Sequence, residues 1–444
     1  MTFSATTSDI SRRCSMSPTF PTPGCPSRTA QRSSTAPPAA TSTRRPSSTS
    51  SARSPCAATS SSPPGAERAA DFVSSSSVFA PLTLFLLLSA PSFAGEAARD
   101  AEPASTTTLR GVHFTGWAAG SAKARRRFLG EMKAAGFNAV AIALKDYDGC
   151  VFVKGVPLAD KSGAFVKAIP DLVGAVKEFK DQGVYTIARI AVFKDNHLAR
   201  ARPDLAVHFP DGRLWTNDKG TAWVDPYQKE IWEYAIDIAS RAAAAGFDEI
   251  QYDYIRFPSD GKTRQCRYSR KDHTAATASQ ALREFLTLAR ARLKPMGVKL
   301  SICTFGLTAS VDNGMGIGQR LDQMADLVDY ISPMMYPSHY AKGEYGLKSP
   351  NRQPYLTIRH GIKDALTRLD ARPQALRPYL QDFSMGVRYT PAHVRAQIQA
   401  AEELGVQGWI LWNAQNRYTW SATRAGPIVK PQPAPESPPT PEVR

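Results

Sequence analysis

The sequence predicts a (β/α)8 TIM-type barrel, formed by a single domain between two tails that its composition marks as disordered. Three observations point there. From residue 109 onward, eight short apolar runs alternate with amphipathic stretches. Several of those stretches end in glycine just before the next apolar run, as helices capped by a left-handed residue do. The alternation fills roughly 300 residues, the length that eight strand–helix units need. A doubly wound open sheet is the other architecture compatible with the pattern.

The strand-like runs are LRGVHF (109–114), AVAIAL (139–144), VYTIARIAVF (184–193) and EIQYDY (249–254), then KLSICTF (299–305), DYISPMMY (329–336), RPYLQDF (377–383) and GWILWN (408–413). Between them lie helical patterns such as KARRRFLGEMKAAG, IPDLVGAVKEFKDQG, PYQKEIWEYAIDIASRAAAAG and TPAHVRAQIQAAEELG. No helical pattern follows residue 413, so the seam between the last strand and the first is the open question for closure. There is no repeat of the solenoid kind.

Residues 1–77 are dominated by Ser, Thr, Pro, Ala and Arg and lack apolar periodicity. Such a stretch buries too little surface to offset its ordering entropy, so disorder is expected. The same holds for the Pro-rich stretch 425–444. The stretch VFAPLTLFLLLSAPSFAGEAA (78–98) has a short apolar core and a small-x-small pattern at Ser92-Phe93-Ala94. Residues 78–94 therefore read as a signal peptide, and export is expected. A misassigned start codon would explain why so many residues precede it. An uncleaved segment would instead tether the barrel, residues 109–424, to a membrane.

The net charge is +16, of which residues 1–100 contribute +4, so the ordered part is basic as well. The basic cluster KARRR (123–127) lies inside a helical pattern with no nucleic-acid motif around it. It reads as a solvated surface, and no nucleic-acid partner is expected. Of six cysteines, Cys150, Cys266 and Cys303 fall in the barrel. Their wide spacing forms no metal motif, so neither metal nor cofactor is expected, while one disulfide is allowed after export. Cys303, inside an apolar run, reads as a buried thiol.

In such barrels the reacting groups stand at the C-terminal ends of the strands, where the following loops build the pocket. Those ends supply His113 and Trp117, Lys145 and Asp146, Arg189, then Gln251, Tyr252, Asp253 and Arg256. Further round they supply Thr304, Tyr336, His339, Gln381, Asp382, Trp412 and Asn413. Carboxylates on different strands with aromatics around them suit glycoside hydrolysis, in which one acid protonates the leaving oxygen and the other attacks carbon or activates water. The expected catalytic set is Asp253, then Asp382, then Asp146. The expected substrate-binding set is Trp117, Lys145, Arg189, Tyr252, Arg256, Tyr336, Gln381, Trp412 and Asn413. Each has a plainer explanation. Asp253 can pair with Arg256, Asp382 and Asp146 can cap the helices that follow them, and Trp412 can be core. Asp260 sits in a Ser-Asp-Gly turn that accounts for it.

FDEIQYDYIRFPSDG (247–261), together with GVHFTGW, NAVAIALKD, DYISPMMYPSHY and GWILWN, resembles a bacterial family of glycoside hydrolases with a (β/α)8 barrel, first catalogued as a domain of unknown function. The resemblance covers about 109–420 and is most specific in the fourth strand. It implies an exported carbohydrate-active barrel with a catalytic Asp at the end of that strand, which maps onto Asp253. The paired-Glu pattern of the largest barrel glycosidase clan and the DxxDxDxE run of chitinase-like barrels do not occur. A carbohydrate-binding barrel without catalysis is the alternative. A phosphate-binding barrel is disfavoured, because the loops after the last two strands, SMGVRYTP and AQNRYTWS, are not Gly-rich.

Overall fold

The computed structural model describes residues 108–423, and the expectations about residues 1–77, 78–94 and 425–444 fall outside them. Eight parallel strands close into a barrel in chain order: β1 Leu109–Phe114, β2 Ala139–Lys145, β3 Tyr185–Ala191 and β4 Glu249–Asp253, then β5 Lys299–Phe305, β6 Tyr330–Met335, β7 Tyr379–Gln381 and β8 Gly408–Trp412. The open-sheet alternative is thereby excluded: β1 pairs with β8 through Leu109 opposite Gly408 and Val112 opposite Leu411.

The outer layer is helical, with long helices at Ala122–Ala134, Lys229–Ala244, Ala275–Leu293, Pro354–Arg368 and Pro391–Glu403. Their apolar stripes face the outward side chains of the strands. Trp232 and Tyr252, for example, both pack on Phe285. Among the described residues, no α-helix follows β8 to cover the β8–β1 seam. The chain after β8 does so instead, with Tyr418 and Trp420 packed against Phe128 and Trp420 also against Phe137. Aromatic burial of this kind supplies the apolar cover that an eighth helix would give.

The inward face of β4 explains much of the interior. Strand residues alternate sides, so Glu249, Gln251 and Asp253 all point into the barrel, at its floor, middle and mouth. Each is buried and each is satisfied by other strands. Glu249 pairs with Arg377 at 2.7 Å and accepts from Tyr185 Oη at 3.0 Å. Gln251 Oε1 accepts from Tyr379 Oη at 2.6 Å. Asp253 pairs with Arg189 of β3. Small residues on β2, Ala139 and Ala141, share the barrel interior with Tyr379. The outward residues, Ile250 and Tyr252, join the apolar layer beneath the helices.

Cys150, Cys266 and Cys303 are all buried. Among the described residues, no helix is long and apolar enough to cross a membrane, and no group of three or more His, Cys, Asp or Glu is placed to hold a metal ion.

Candidate active site

At the barrel mouth β4 ends on Asp253, and the chain turns sharply: Tyr254 takes φ +51°, a left-handed conformation uncommon for a non-glycine residue. The turn aims the Tyr254 N–H back at Asp253 Oδ1, 2.6 Å away. Oδ2 of the same carboxylate accepts from Arg189 Nη2. Both oxygens of Asp253 are therefore held, one by a cation and one by a backbone dipole. Backbone bonds from Val192 to Asp253 and from Phe193 to Tyr254 tie the ends of β3 and β4 together and fix this geometry.

A cavity of about 80 Å³ opens beside Asp253, walled by Arg256, Cys303, Thr304, Phe305, Met334, Tyr336 and His339 among others. Gln319, from the loop before β6, braces this wall: its Oε1 accepts from Phe305 N–H at 3.0 Å, and its Nε2 donates to Cys303 O at 3.2 Å and Ile255 O at 3.3 Å. Several buried polar atoms at the mouth have no hydrogen-bond partner among the described residues: both ring nitrogens of His113, Thr304 Oγ1 and Tyr336 Oη. A buried polar group without a partner costs about 1–3 kcal/mol. Their gathering on β1, β5 and β6 around one carboxylate suits a ligand rich in hydroxyls.

Electrostatics separate the titratable groups. Burial pushes the Asp146 carboxyl up to about 6, against the opposing pull of Arg189. Asp146 is thus a half-buried second carboxyl within the field of the same guanidinium. Burial, reinforced by Arg189, holds His113 neutral, well below the usual imidazole range. His339 is pushed down to about 4 by burial. Lys194 is lowered to about 8 by burial and then by Arg256, and its ammonium lies over the Tyr147 and Tyr254 rings at 4.7 and 5.1 Å.

Of the sequence-predicted residues, the structure brings Asp253, Arg189, Arg256, Tyr336, Trp412 and Asp146 to this end of the barrel. Trp412, Tyr336 and Phe383 form an aromatic wall, with ring centroids 5.3–5.7 Å apart. Arg256 does not take the role of sole orienter. It donates to Phe257 O at 3.1 Å and Ser259 Oγ at 2.9 Å, and its guanidinium lies over the Trp223 and Phe305 rings.

Other expectations are corrected. Tyr252 points outward onto Phe285 with no exposure, because it lies between the inward-facing Gln251 and Asp253, so it cannot face substrate. Lys145 is buried in an ion pair with Asp195 at 2.9 Å and donates to Ala191 O at 2.7 Å. The register shifts between Ala143 and Lys145, and that irregularity turns the lysine towards the helix layer, over the Tyr234 ring. Asp382 follows β7 in the outward phase; its two oxygens accept from Thr419 N–H and Oγ1, each at 2.7 Å. It anchors the segment that closes the seam. Asn413 donates to Asp382 O, and Gln381 bridges Ser338 N–H to Phe383 O, so both amides hold loops. Trp117 is half-buried and edge-on to Phe152, outside the cleft wall.

Sequence reasoning missed Lys194 and Gln319. Lys194 directly follows the third apolar run, so its position was a signal. Gln319 lies in a loop whose sequence carries none.

The family described as "Putative glycosyl hydrolase domain" (DUF4015) matches residues 111–418. No curated protein matches the chain. Among solved structures, a hypothetical protein from Ruminiclostridium thermocellum is 33% identical, covering 43% of this chain and 96% of that one, with a TM-score of 0.39. The PgaB (BpsB) glycoside hydrolase domain from Bordetella bronchiseptica shares the fold at 13% identity, with a TM-score of 0.50 over 70% of this chain and 95% of that one. An endo-1,4-beta-D-mannanase from Thermotoga petrophila is 14% identical over 69% of this chain and 88% of that one, with a TM-score of 0.46. With the family match spanning the closed barrel from β1 to the segment that seals its seam, the chain belongs to this glycosyl hydrolase family and is a glycoside hydrolase.

Proposed function

We propose that the protein is exported and cleaves glycosidic bonds within a polysaccharide, with Asp253 as the anionic carboxylate and Asp146 as the acid. The observation that carries this reading is the pairing of environments at one mouth. Asp253 is paired with the Arg189 guanidinium, while burial raises the Asp146 carboxyl to about 6. A carboxylate paired with a cation and a second carboxyl raised by burial suit acid-assisted glycoside cleavage. In the first step the Asp146 proton passes to the glycosidic oxygen as the C–O bond breaks. Asp253 meets the electron-poor anomeric carbon, either directly or by taking a proton from an attacking water. The unpartnered His113, Thr304 and Tyr336 atoms would receive sugar hydroxyls, and the Tyr336–Trp412 wall would receive the apolar face of a ring. Export is supported by the apolar segment ending in Ser92-Phe93-Ala94.

The test is the release of reducing ends from a panel of polysaccharides by the purified protein, with Asp253→Asn as the control. Release by that variant at the wild-type rate would overturn the assignment. N-terminal sequencing of the mature protein tests export: a start just after residue 94 is expected, and an intact leader in the mature protein would overturn it.

A further inference from the structure

We propose that the substrate is an anionic polysaccharide, whose acidic groups are taken by a cationic ledge formed by the loop between β4 and the helix Ala275–Leu293. This rests on the reading of the Asp253 cleft as the cleavage site and specifies its substrate class. Residues 256–274 carry six Lys or Arg and two Asp, spread so that no basic run shows in the sequence. Folding places Lys262, Arg264, Arg267, Arg270 and Lys271 along one open groove, with Phe305 as a further wall residue. Phe305 also walls the Asp253 cavity, so the groove and the cleft lie on either side of a shared wall residue.

The acids of this loop are already engaged. Asp272 takes Arg270 at 2.8 Å, and Asp260 accepts from Asn217 Nδ2 at 2.5 Å. Lys262, Arg264 and Lys271 are exposed, and among the described residues no carboxylate pairs with them. The loop is also fixed in place. Arg267 and His208 exchange backbone hydrogen bonds at 2.7 and 3.0 Å, and Ser269 N–H donates to Asp225 Oδ2 at 2.6 Å. The cations therefore stand on a pre-ordered surface. The groove is lined by these five cations against one carboxylate, Asp218, and a surface so dominated by one sign concentrates ligands of the opposite sign. Lys194 and Arg256, at the rim and wall of the cleft itself, continue the positive field to the scissile position. Because the ledge and the cleft share a wall, a polymer lying along the ledge presents its next linkage to Asp253, which favours a glycan over a nucleic acid.

The test measures binding of the full-length protein to polygalacturonate and dextran sulfate, against dextran and neutral mannan, by affinity electrophoresis and calorimetry. Wild type is expected to bind at least one acidic glycan about tenfold or more tightly than either neutral one, with affinity falling as salt rises. The triple variant K262E/R264E/K271E is expected to lose that preference with an unchanged melting temperature, because these side chains make no packing contact that the fold needs. Equal binding of acidic and neutral glycans by wild type, or an unchanged preference in the folded triple variant, would overturn the proposal. Duplex DNA bound as tightly as the acidic glycans would also overturn it, marking a general polyanion surface. Asp253→Asn separates the two readings. If it keeps charge-dependent binding and also wild-type cleavage, the cleft assignment fails while the ledge stands.

Discussion

Arg189 on β3 donates to Oδ2 of Asp253 on β4, so two neighbouring strands meet at the barrel mouth through one buried ion pair. The relationship decides what happens when either side chain is changed. Asp253→Asn is expected to lower turnover by about 10²–10⁴-fold, the range for groups acting in acid–base steps. It should also destabilise the fold, because removing one partner of a buried pair costs up to about 3–5 kcal/mol by leaving the other charge unpaired. Adding Arg189→Met should recover much of the stability and none of the activity. Denaturant titration of the single and double variants, alongside kinetics, checks both halves. Activity restored with stability would refute a chemical role for Asp253.

Asp146 sets a pH signature. Its carboxyl is raised to about 6 in the folded protein, while an unfolded aspartate titrates near about 3.9. Between those values the native state holds more protons than the unfolded one. Its contribution is therefore complete below the lower value and is lost as pH rises through about 6, on the order of 2–3 kcal/mol in all. Asp146→Asn should flatten that part of the stability profile and make the protein more stable at neutral pH. If Asp146 is the acid, kcat/KM of the wild type should fall above about pH 6, and the variant should lack that limb. A variant with the wild-type acid limb would assign the proton to another group.

Asp382 offers the contrast. Its bonds to Thr419 hold the seam, so Asp382→Ala should cost about 1–3 kcal/mol through unpaired donors and lost closure. Turnover per folded molecule should stay near wild type, whereas Asp146→Asn should lower it. Comparing kcat with the folded fraction measured by circular dichroism separates the two.

Lys145 and Tyr252 should behave as structural residues. Lys145→Ala leaves Asp195 buried without its cation and is expected to cost about 3–5 kcal/mol. Tyr252→Ala opens a cavity against Phe285 and is expected to cost a similar amount, about 3–5 kcal/mol. Neither should change KM for a cleaved substrate. A raised KM at full stability would return either residue to the substrate side.

Tyr336→Phe removes a buried hydroxyl that has no hydrogen-bond partner among the described residues, so stability should hold or rise slightly. If that hydroxyl meets substrate, kcat/KM should drop by roughly three- to tenfold, the equivalent of one neutral hydrogen bond of about 0.5–1.5 kcal/mol. An unchanged kcat/KM would place the substrate elsewhere along the wall.

The sequence by itself determined the barrel, its eight strands and the carboxylate at the end of the fourth. Those features rest on local signals: apolar runs, glycine stops, and a polar residue interrupting an apolar run. It also placed Arg189 and Tyr336 at strand ends, since position along a strand is a one-dimensional property. Only the tertiary structure decided which way each of those side chains points. The register shift in β2 sends Lys145 outward to Asp195, and strand alternation turns Tyr252 to the helices while Asp253 faces in. It alone brought Thr419 onto Asp382, 37 residues away in the chain, and thereby turned an expected catalytic acid into a fastener. The seam was illegible for the same reason. Trp420 meets Phe137 and Phe128 from the opposite end of the barrel sequence, and no local pattern encodes a contact whose partners lie so far apart in the chain. Side-chain direction and long-range pairing depend on closure of the barrel as a whole, which no window of sequence contains.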